Sequence, residues 1–554
     1  MTKKQKIYFL AVVLLAVFFR FYQINQMPGG LFPDEAANGL DINLMQQGQL
    51  QPFYERGNGR EALFFYLEWA SVAVFGKGAW QMHVASASVG LFGVIVCFLV
   101  TRRLLMVGEK WDDTKALSRS VNIALLAAFL MAVSTWHTVL SRTGFRANMI
   151  PLFAGLTFYF LLKTYQAEGR RKKYFNAFLT GAVFSLGFYT YIAYRILAPI
   201  IVVLILWPWF AVGIKEGVRR YWKQFLLFAL ASVAFFYPLF SYFRSHPGSF
   251  VGRSGQVSVF NPELNGGDLI GTILEVTRLS ILGYFTEGDL NWRHNISGFP
   301  FLSPLYSPFF AVALAAVTVL GVLYFFSPRR RQGWWKYAAL AAWFWGLLLP
   351  VITTAEGIPH GLRSIGTIPA VFIISAIGLY KFGEYVWRLH SKFCNVGTFR
   401  NWLVGTAFKL TVFCFLLALV LQSYFAYFVY AYNSPENFYS FRSDLSPVSA
   451  YLKARCGKLN TYLVLDKFSV QSTDFLTSDR HGNFSDSCSV PYVQVDPEDS
   501  WKLSNLKDGD QVIFAQSSIF DIKKFKQHHP EARLVLEVRN KFGQAVMAVY
   551  EVGN

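Results

Sequence analysis

The 554-residue chain is 54% hydrophobic and only 15% charged, and its 55 Phe and 15 Trp help raise the aromatic share to 18%. A soluble domain carries roughly a quarter charged residues, and this much apolar surface would aggregate in water, so a soluble globular protein is excluded. The net charge of +19 does not mark a nucleic-acid binder, because Lys and Arg fall in short segments between apolar runs rather than on one folded basic face.

The apolar runs at 7–24, 80–101, 119–138, 148–165, 175–193, 196–213, 224–243, 304–326, 337–354, 365–382 and 403–430 are each long enough to cross a bilayer, which predicts an α-helical polytopic membrane protein with about 11 transmembrane helices. The first run is not a cleaved signal, since no small-residue site follows it and the next segment holds Pro28, Gly29, Gly30 and Pro33. Lys3, Lys4 and Lys6 precede it. The groups Arg102/Arg103/Lys110/Lys115, Arg170–Lys173, Lys215/Arg219/Arg220/Lys223, Arg329–Arg331/Lys336 and Lys381/Arg388/Lys392 then occupy alternate loops. The positive-inside rule makes that side cytoplasmic. The expected location is the plasma membrane (the inner membrane of a bacterium), with segments 25–79, 244–303 and 431–554 outside.

The division expected is a transmembrane domain over 1–430 and a soluble extracytoplasmic α/β domain over 431–554. In the latter, a helix is predicted from Ser446-Pro447 through Arg455, and strands at 461–468, 511–516, 532–538 and 544–552, with a helix near 518–528. Cys456 and Cys488 lie where the compartment permits a disulfide, and the sequence leaves open whether they pair.

Chemistry-bearing residues concentrate outside. Asp34-Glu35 follows Pro33 and opens a short amphipathic helix; capping alone would account for Asp34, but a partly desolvated carboxylate at the membrane boundary also suits a general base on a hydroxyl. Arg60 and Glu61 precede an apolar stretch, interrupted by Glu68, that reads as an interfacial amphipathic helix and carries Tyr66. Arg60 either binds a carrier phosphate or snorkels to a lipid headgroup, and we favour the first. Between the third and fourth spans lie His137, Arg142, Arg146 and Asn148, where positive charge on the outer face calls for an anion. The loop 244–303 ends with Glu287, Asp289, Arg293 and His294, and the ninth and tenth spans are joined through Glu356, His360 and Arg363. No P-loop, dinucleotide fingerprint or HExxH motif is present. Such a carboxylate with several cations fits the transfer of a sugar from a lipid phosphate.

The PDE motif at 33–35, REALFFYL at 60–67, the following GxxxxxxHxxSASVGLFG, SRTGFRANMIPLF at 141–153 and PHGLRSIGTIPA at 359–370 resemble the GT-C superfamily of membrane glycosyltransferases. Within it, the likeness is to the group containing protein O-mannosyltransferases and the lipid A aminoarabinose transferase; it covers 1–165 and thins to short motifs beyond. The resemblance implies a GT-C fold and an inverting transfer of a monosaccharide from a polyprenyl-phosphate carrier to an acceptor hydroxyl on a glycan, lipid or protein. It implies Asp34 as the catalytic base with Glu35 in support. The carrier phosphate falls to Arg60, Arg142, Arg146, Arg293, His294, His360 and Arg363, and substrate contacts to Tyr66, Glu61 and Asn148. Arg60 stands where the aminoarabinose transferase has a lysine, and Asn148 where it has a second acidic residue. No cofactor is required, and a divalent cation near Asp34 and Glu35 is allowed. Besides the sugar donor, its acceptor and membrane lipids, no nucleic-acid partner is expected. The alternative reading, a transporter or flippase for lipid-linked glycans, would place charges at span centres.

Overall fold

Helices occupy every stretch read as a span: Lys3–Phe21, Ala79–Leu105, Thr114–Val133, Met149–Gln166, Arg170–Leu186, Leu197–Val212, Ile214–Ser245, Ser307–Phe326, Trp335–Ile352, Ile368–Phe393 and Thr398–Tyr424. The last continues as a π-helix over Phe425–Ala431. The structure, a computed structural model, describes residues 1–554 except 58, 252–256, 329–330, 394–397, 456–459, 479–491, 505 and 554. Cys456 and Cys488, with the disulfide question, lie outside the described residues. Among the described helices, 7 are long and apolar enough to cross a membrane by length and composition. Arg170–Leu186 and Leu197–Val212 have 17 and 16 residues, short of the ~20 that span hydrocarbon.

The chain divides into two units. The first comprises Met1–Tyr22, Ala87–Ser141 and Arg146–Tyr430, and its regular elements among the described residues are helices. Small residues let its helices approach: a Cβ on Gly181 would lie 2.3 Å from the Phe228 carbonyl oxygen, so Arg170–Leu186 and Ile214–Ser245 meet backbone to backbone there. Phe158 and Trp343 stack at 4.2 Å in its interior. Elsewhere, Leu230, Val233 and Tyr237 on one helix and Val312, Val319 and Phe326 on another are exposed, which in a spanning bundle is surface for lipid. A buried Arg20 resolves the end of a neighbouring helix, donating to the carbonyls of Met131 (3.0 Å) and Ala132 at the C-terminus of Thr114–Val133.

The second unit comprises Gln23–Ser86, Arg142–Phe145 and Ala431–Asn554. Its sheet has five strands in the order Val493–Val495, Thr461–Val464, Gln511–Ala515, Ala545–Glu551, Arg533–Arg539; the first three run parallel and the last two pair antiparallel. Alternation along the strands feeds both faces. Leu463, Ile513, Met547 and Val549 pack under the helix Leu445–Arg455, whereas Val464, Val512, Phe514 and Tyr550 pack against Phe525 of Ile522–His528. The predicted strands are present, and Val493–Val495 is an edge strand that the sequence reading lacks; at three residues it is too short to show an alternation.

The first outer loop belongs to this same unit instead of standing apart from the C-terminal segment. Its helix Pro33–Gln46 packs on Val470–Thr477 so closely that a Cβ on Gly39 would lie 2.5 Å from the Phe475 ring. Ser472 Oγ donates to the Leu31 carbonyl (2.8 Å) and Ser443 Oγ to that of Pro28 (2.9 Å).

Candidate functional site

Pro33 opens the helix Pro33–Gln46, with its preset φ suited to the first turn. The N-cap is Phe32, and the capping carboxylate is Glu35, whose Oε2 accepts the Phe32 N–H at 2.9 Å. This corrects the cap expected from the sequence: the third position, not Asp34, does the capping. Asp34 stands exposed in the first turn, so the desolvation expected for it falls on its neighbours instead.

Behind Asp34 lies a buried polar set. Glu35 is fully buried; its Oε1 accepts the Gly144 N–H and meets His83 Nε2 at 3.2 Å. Burial by itself would raise the Glu35 carboxyl, but the His83 charge and hydrogen bond, with the Gly144 and Phe32 N–H groups, outweigh it and hold the group below the usual carboxylate value. Glu68, also fully buried, goes the other way: burial and the neighbouring Glu35 charge push it well above that value. It lies on Leu63–Phe75, a largely apolar helix whose Glu68 and Ser71 are both buried, so the amphipathic interfacial helix expected there, with a polar face to water, is not what forms. Gly144 separates the two carboxylates. A Cβ there would sit 3.1 Å from Glu35 Oε1 and 3.2 Å from Glu68 Oε1.

Arg60 comes to this place on a hairpin, in which Phe53–Tyr54 pairs antiparallel with Arg60–Glu61. Its buried guanidinium donates from Nη1 to the Asp34 carbonyl (3.1 Å) and to Asn38 Oδ1 (2.9 Å). Asn38 in turn donates to the Gly144 carbonyl at 3.1 Å. Gly57 sits in the hairpin's turn at φ +60°, in the left-handed region that favours glycine, and a Cβ there would also press on the Arg60 guanidinium. Arg142 is buried too and donates from Nη2 to the Met27 carbonyl (2.8 Å), so it braces the loop that leads to Asp34. Glu61 is buried beside Arg60, while Tyr66 donates from its hydroxyl to the Gln51 carbonyl at 3.2 Å.

The helical unit holds the other predicted residues. His294 Nδ1 lies 3.0 Å and His360 Nδ1 3.9 Å from Asp289 Oδ2, with the two imidazoles stacked at 4.5 Å. The Gly361 N–H donates to the same oxygen at 2.6 Å and the Asn291 N–H to Oδ1 at 2.8 Å, fixing the carboxylate. Burial pushes the His294 imidazole down, against the pull of Asp289. One donor atom from each of the three residues lies within 4.8 Å of the others. A carboxylate and two imidazoles suit a divalent transition ion. Among the described residues this is the set with metal-ligand spacing, whereas the sequence allows a cation at Asp34 and Glu35. Arg363 pairs with Glu356 at 3.4 Å, Arg146 lies 5.2 Å over the Tyr191 ring, and Asn148 ends the turn before Met149–Gln166. Arg293 is half-buried beside His294. His137 is not at an outer surface: it is fully buried with Nδ1 2.6 Å from Arg20.

The sequence names Asp289 beside His294 without assigning it a role in the site, and carries His83 only as the histidine of the GxxxxxxHxxSASVGLFG stretch. The HxxS stretch after Gly76 and the Asp-x4-His spacing were the signals available for them.

A family model for dolichyl-phosphate-mannose-protein mannosyltransferases matches residues 64–245. A search of curated protein sequences returns no match. ArnT from Cupriavidus metallidurans bound to undecaprenyl phosphate is similar over 99% of this chain and 98% of its own, at 14% identity and a TM-score of 0.54. The fold is GT-C. The same ArnT in the apo state gives a TM-score of 0.53 at 14% identity, covering 98% and 97% of the two chains. The Saccharomyces cerevisiae protein O-mannosyltransferase Pmt1-Pmt2 complex bound to the sugar donor matches 48% of this chain and 37% of its own at 17% identity and a TM-score of 0.34.

Proposed function

We propose that this protein transfers a monosaccharide, with inversion, from a polyprenyl-phosphate carrier to an acceptor hydroxyl at the extracytoplasmic face of the plasma membrane. The observation that carries the reading is the Asp34–Arg60 arrangement: an exposed carboxylate in a helix's first turn, with a buried guanidinium 3.1 Å from its carbonyl oxygen. Asp34 takes the proton of the acceptor hydroxyl as its oxygen attacks the anomeric carbon from the side opposite the phosphate. The bond from that carbon to the phosphate oxygen breaks, the electron pair leaves with the polyprenyl phosphate, and a cation stabilises the charge it gains. Arg60 is assigned that task. Glu35 and His83 keep the turn in place without touching substrate.

The family model, named for transfer of mannose from a dolichyl phosphate, and the GT-C fold support this reading. A glycan, a lipid or a protein would each supply a suitable hydroxyl. For His294, His360 and Arg363 a part in binding the carrier phosphate is proposed separately, as is a divalent cation held by Asp289, His294 and His360. The test is transfer from a radiolabelled polyprenyl-phosphate sugar to a panel of acceptors by purified protein. Asp34→Asn should lose about 10²–10⁴-fold in rate while keeping its thermal midpoint. Equal transfer by the variant would remove Asp34 from the mechanism.

A further inference from the structure

A cavity of about 580 Å³ opens at the far end of the helix Ala79–Leu105 from Ala79 itself. Arg102, Arg103, Lys163 and Lys172 line it, contributed by the C-terminal turns of Ala79–Leu105 and Met149–Gln166 and the first turn of Arg170–Leu186. Trp111 closes one side, with the Arg102 and Arg103 guanidinium carbons 5.7 and 5.2 Å from its ring. Among the described residues no carboxylate lies within ion-pairing distance of any of the four cations. Arg103 is held in position instead by Gln166, which it approaches at 3.3 Å and whose amide donates back to the Arg103 carbonyl at 2.9 Å. The Arg102 Nε is closed off from solvent with no hydrogen-bond partner.

Cations at helix C-termini are ordinary, because the macrodipole favours them there. That explains Arg102, Arg103 and Lys163. It does not explain Arg170–Leu186, whose first four residues are Arg170, Arg171, Lys172 and Lys173, all at the positive end of the dipole. This terminus has no side-chain cap, begins after Gly169 at φ +83°, and has no acidic residue in its first turn. Beyond marking the side of the membrane, four cations crowded at the positive end of one helix repel one another and its dipole, and a bound anion would relieve that. Among the described residues, an exposed Glu168 is the one acidic residue lining the cavity.

We propose that this cavity binds a phosphate group, and that its source is the headgroup of an anionic phospholipid. The helix Ala79–Leu105 has 27 residues, about 40 Å, so cations at its end emerge at headgroup depth, where an aromatic ring beside them is also at home. Basic pockets between helices at a membrane boundary bind such headgroups. The site stands apart from the proposed transfer and does not depend on it.

The test uses the full-length protein in dodecyl maltoside, with lipid retention measured by native mass spectrometry against phosphatidylglycerol, phosphatidylcholine and inorganic phosphate. Wild type should retain phosphatidylglycerol in preference to phosphatidylcholine. Arg103→Gln/Lys172→Gln should weaken that binding about 25-fold, at about 5-fold per cation. If the double variant does not fold, Lys172→Gln at its exposed position gives the same reading at about 5-fold. Retention of inorganic phosphate with no phosphatidylglycerol retained would overturn the lipid as the source. Equal retention of the two lipids, or retention of phosphatidylglycerol by the variants within about twofold of wild type, would overturn the proposal.

Discussion

Replacing Glu35 with Gln changes one atom and removes one charge from a fully buried position. Three donors converge on that carboxylate: the N–H groups of Gly144 and Phe32 and the His83 ring. A glutamine keeps one acceptor oxygen and turns a second donor toward a donor, so one N–H is orphaned at about 1–3 kcal/mol and the buried pair with His83 is broken at about 3–5 kcal/mol. Relief of the Glu35 repulsion on Glu68 offsets part of this. A net loss of at least about 3 kcal/mol is expected, at least on the order of 10²-fold in the folding equilibrium. The sign of the pH dependence is fixed by the lowered Glu35 value: the stability it adds is present above an unfolded value of about 4.3 and is lost as pH falls through the folded one. Unfolding in mixed detergent micelles from pH 7 to pH 3.5 should therefore show a gap between wild type and Glu35→Gln that narrows below about pH 4. Transfer activity should fall in kcat more than in the acceptor KM, because the turn presenting Asp34 loosens. A gap under about 0.5 kcal/mol at pH 7, or one that stays constant down to pH 3.5, would refute the reasoning.

The other expectations concern the same cluster. Gly144→Ala should cost about 1–3 kcal/mol, because its methyl would press on two buried carboxylate oxygens; an unchanged thermal midpoint would show that both carboxylates can move aside. For Glu68 the folded value is raised, so stability present below about pH 4.3 is lost as pH rises toward that value. Glu68→Gln should accordingly gain on wild type between pH 4.5 and pH 8, and a parallel pair of stability curves would contradict the neutral carboxyl. Arg60→Ala should raise the donor Kd by about tenfold or more with acceptor choice unaltered, measured by competition with unlabelled polyprenyl phosphate; unchanged donor affinity would remove Arg60 from the phosphate.

What could be read in the sequence follows from the range over which each signal acts. Apolar length is a local property, and helices lie at each of the predicted runs. The strands of the C-terminal segment were legible where alternation extended over four residues or more, and Val493–Val495 fell below that. Asp34 was legible as an acidic residue after a proline, but that the cap is made by Glu35 shows only in the fold. The contacts that hold Glu35 come from His83, 48 residues away, and Gly144, 109 residues away, and no periodicity reaches that far. Glu68 interrupts an apolar helix and was noticed for that; its neighbour Glu35, which makes the interruption meaningful, required the fold. The pairing of Asp289 with His294 and His360 has the same origin, since the helix Ser307–Phe326 and the one after it come between the latter two in the chain.

The packing of Gly39 against Phe475 and the bond from Asn43 to Ser478, 435 residues apart, also set an order of events. At about 5–20 residues per second, the ribosome needs roughly 20–90 s after making the helix that carries Asp34 before the segment it rests on exists. Throughout that interval the loop is outside the finished fold, its apolar underside without a partner and open to proteases and holdases. Synthesis thus assembles the surface beneath Asp34 among its last steps, and a chain stopped before residue 470 would insert its helices and still lack that support.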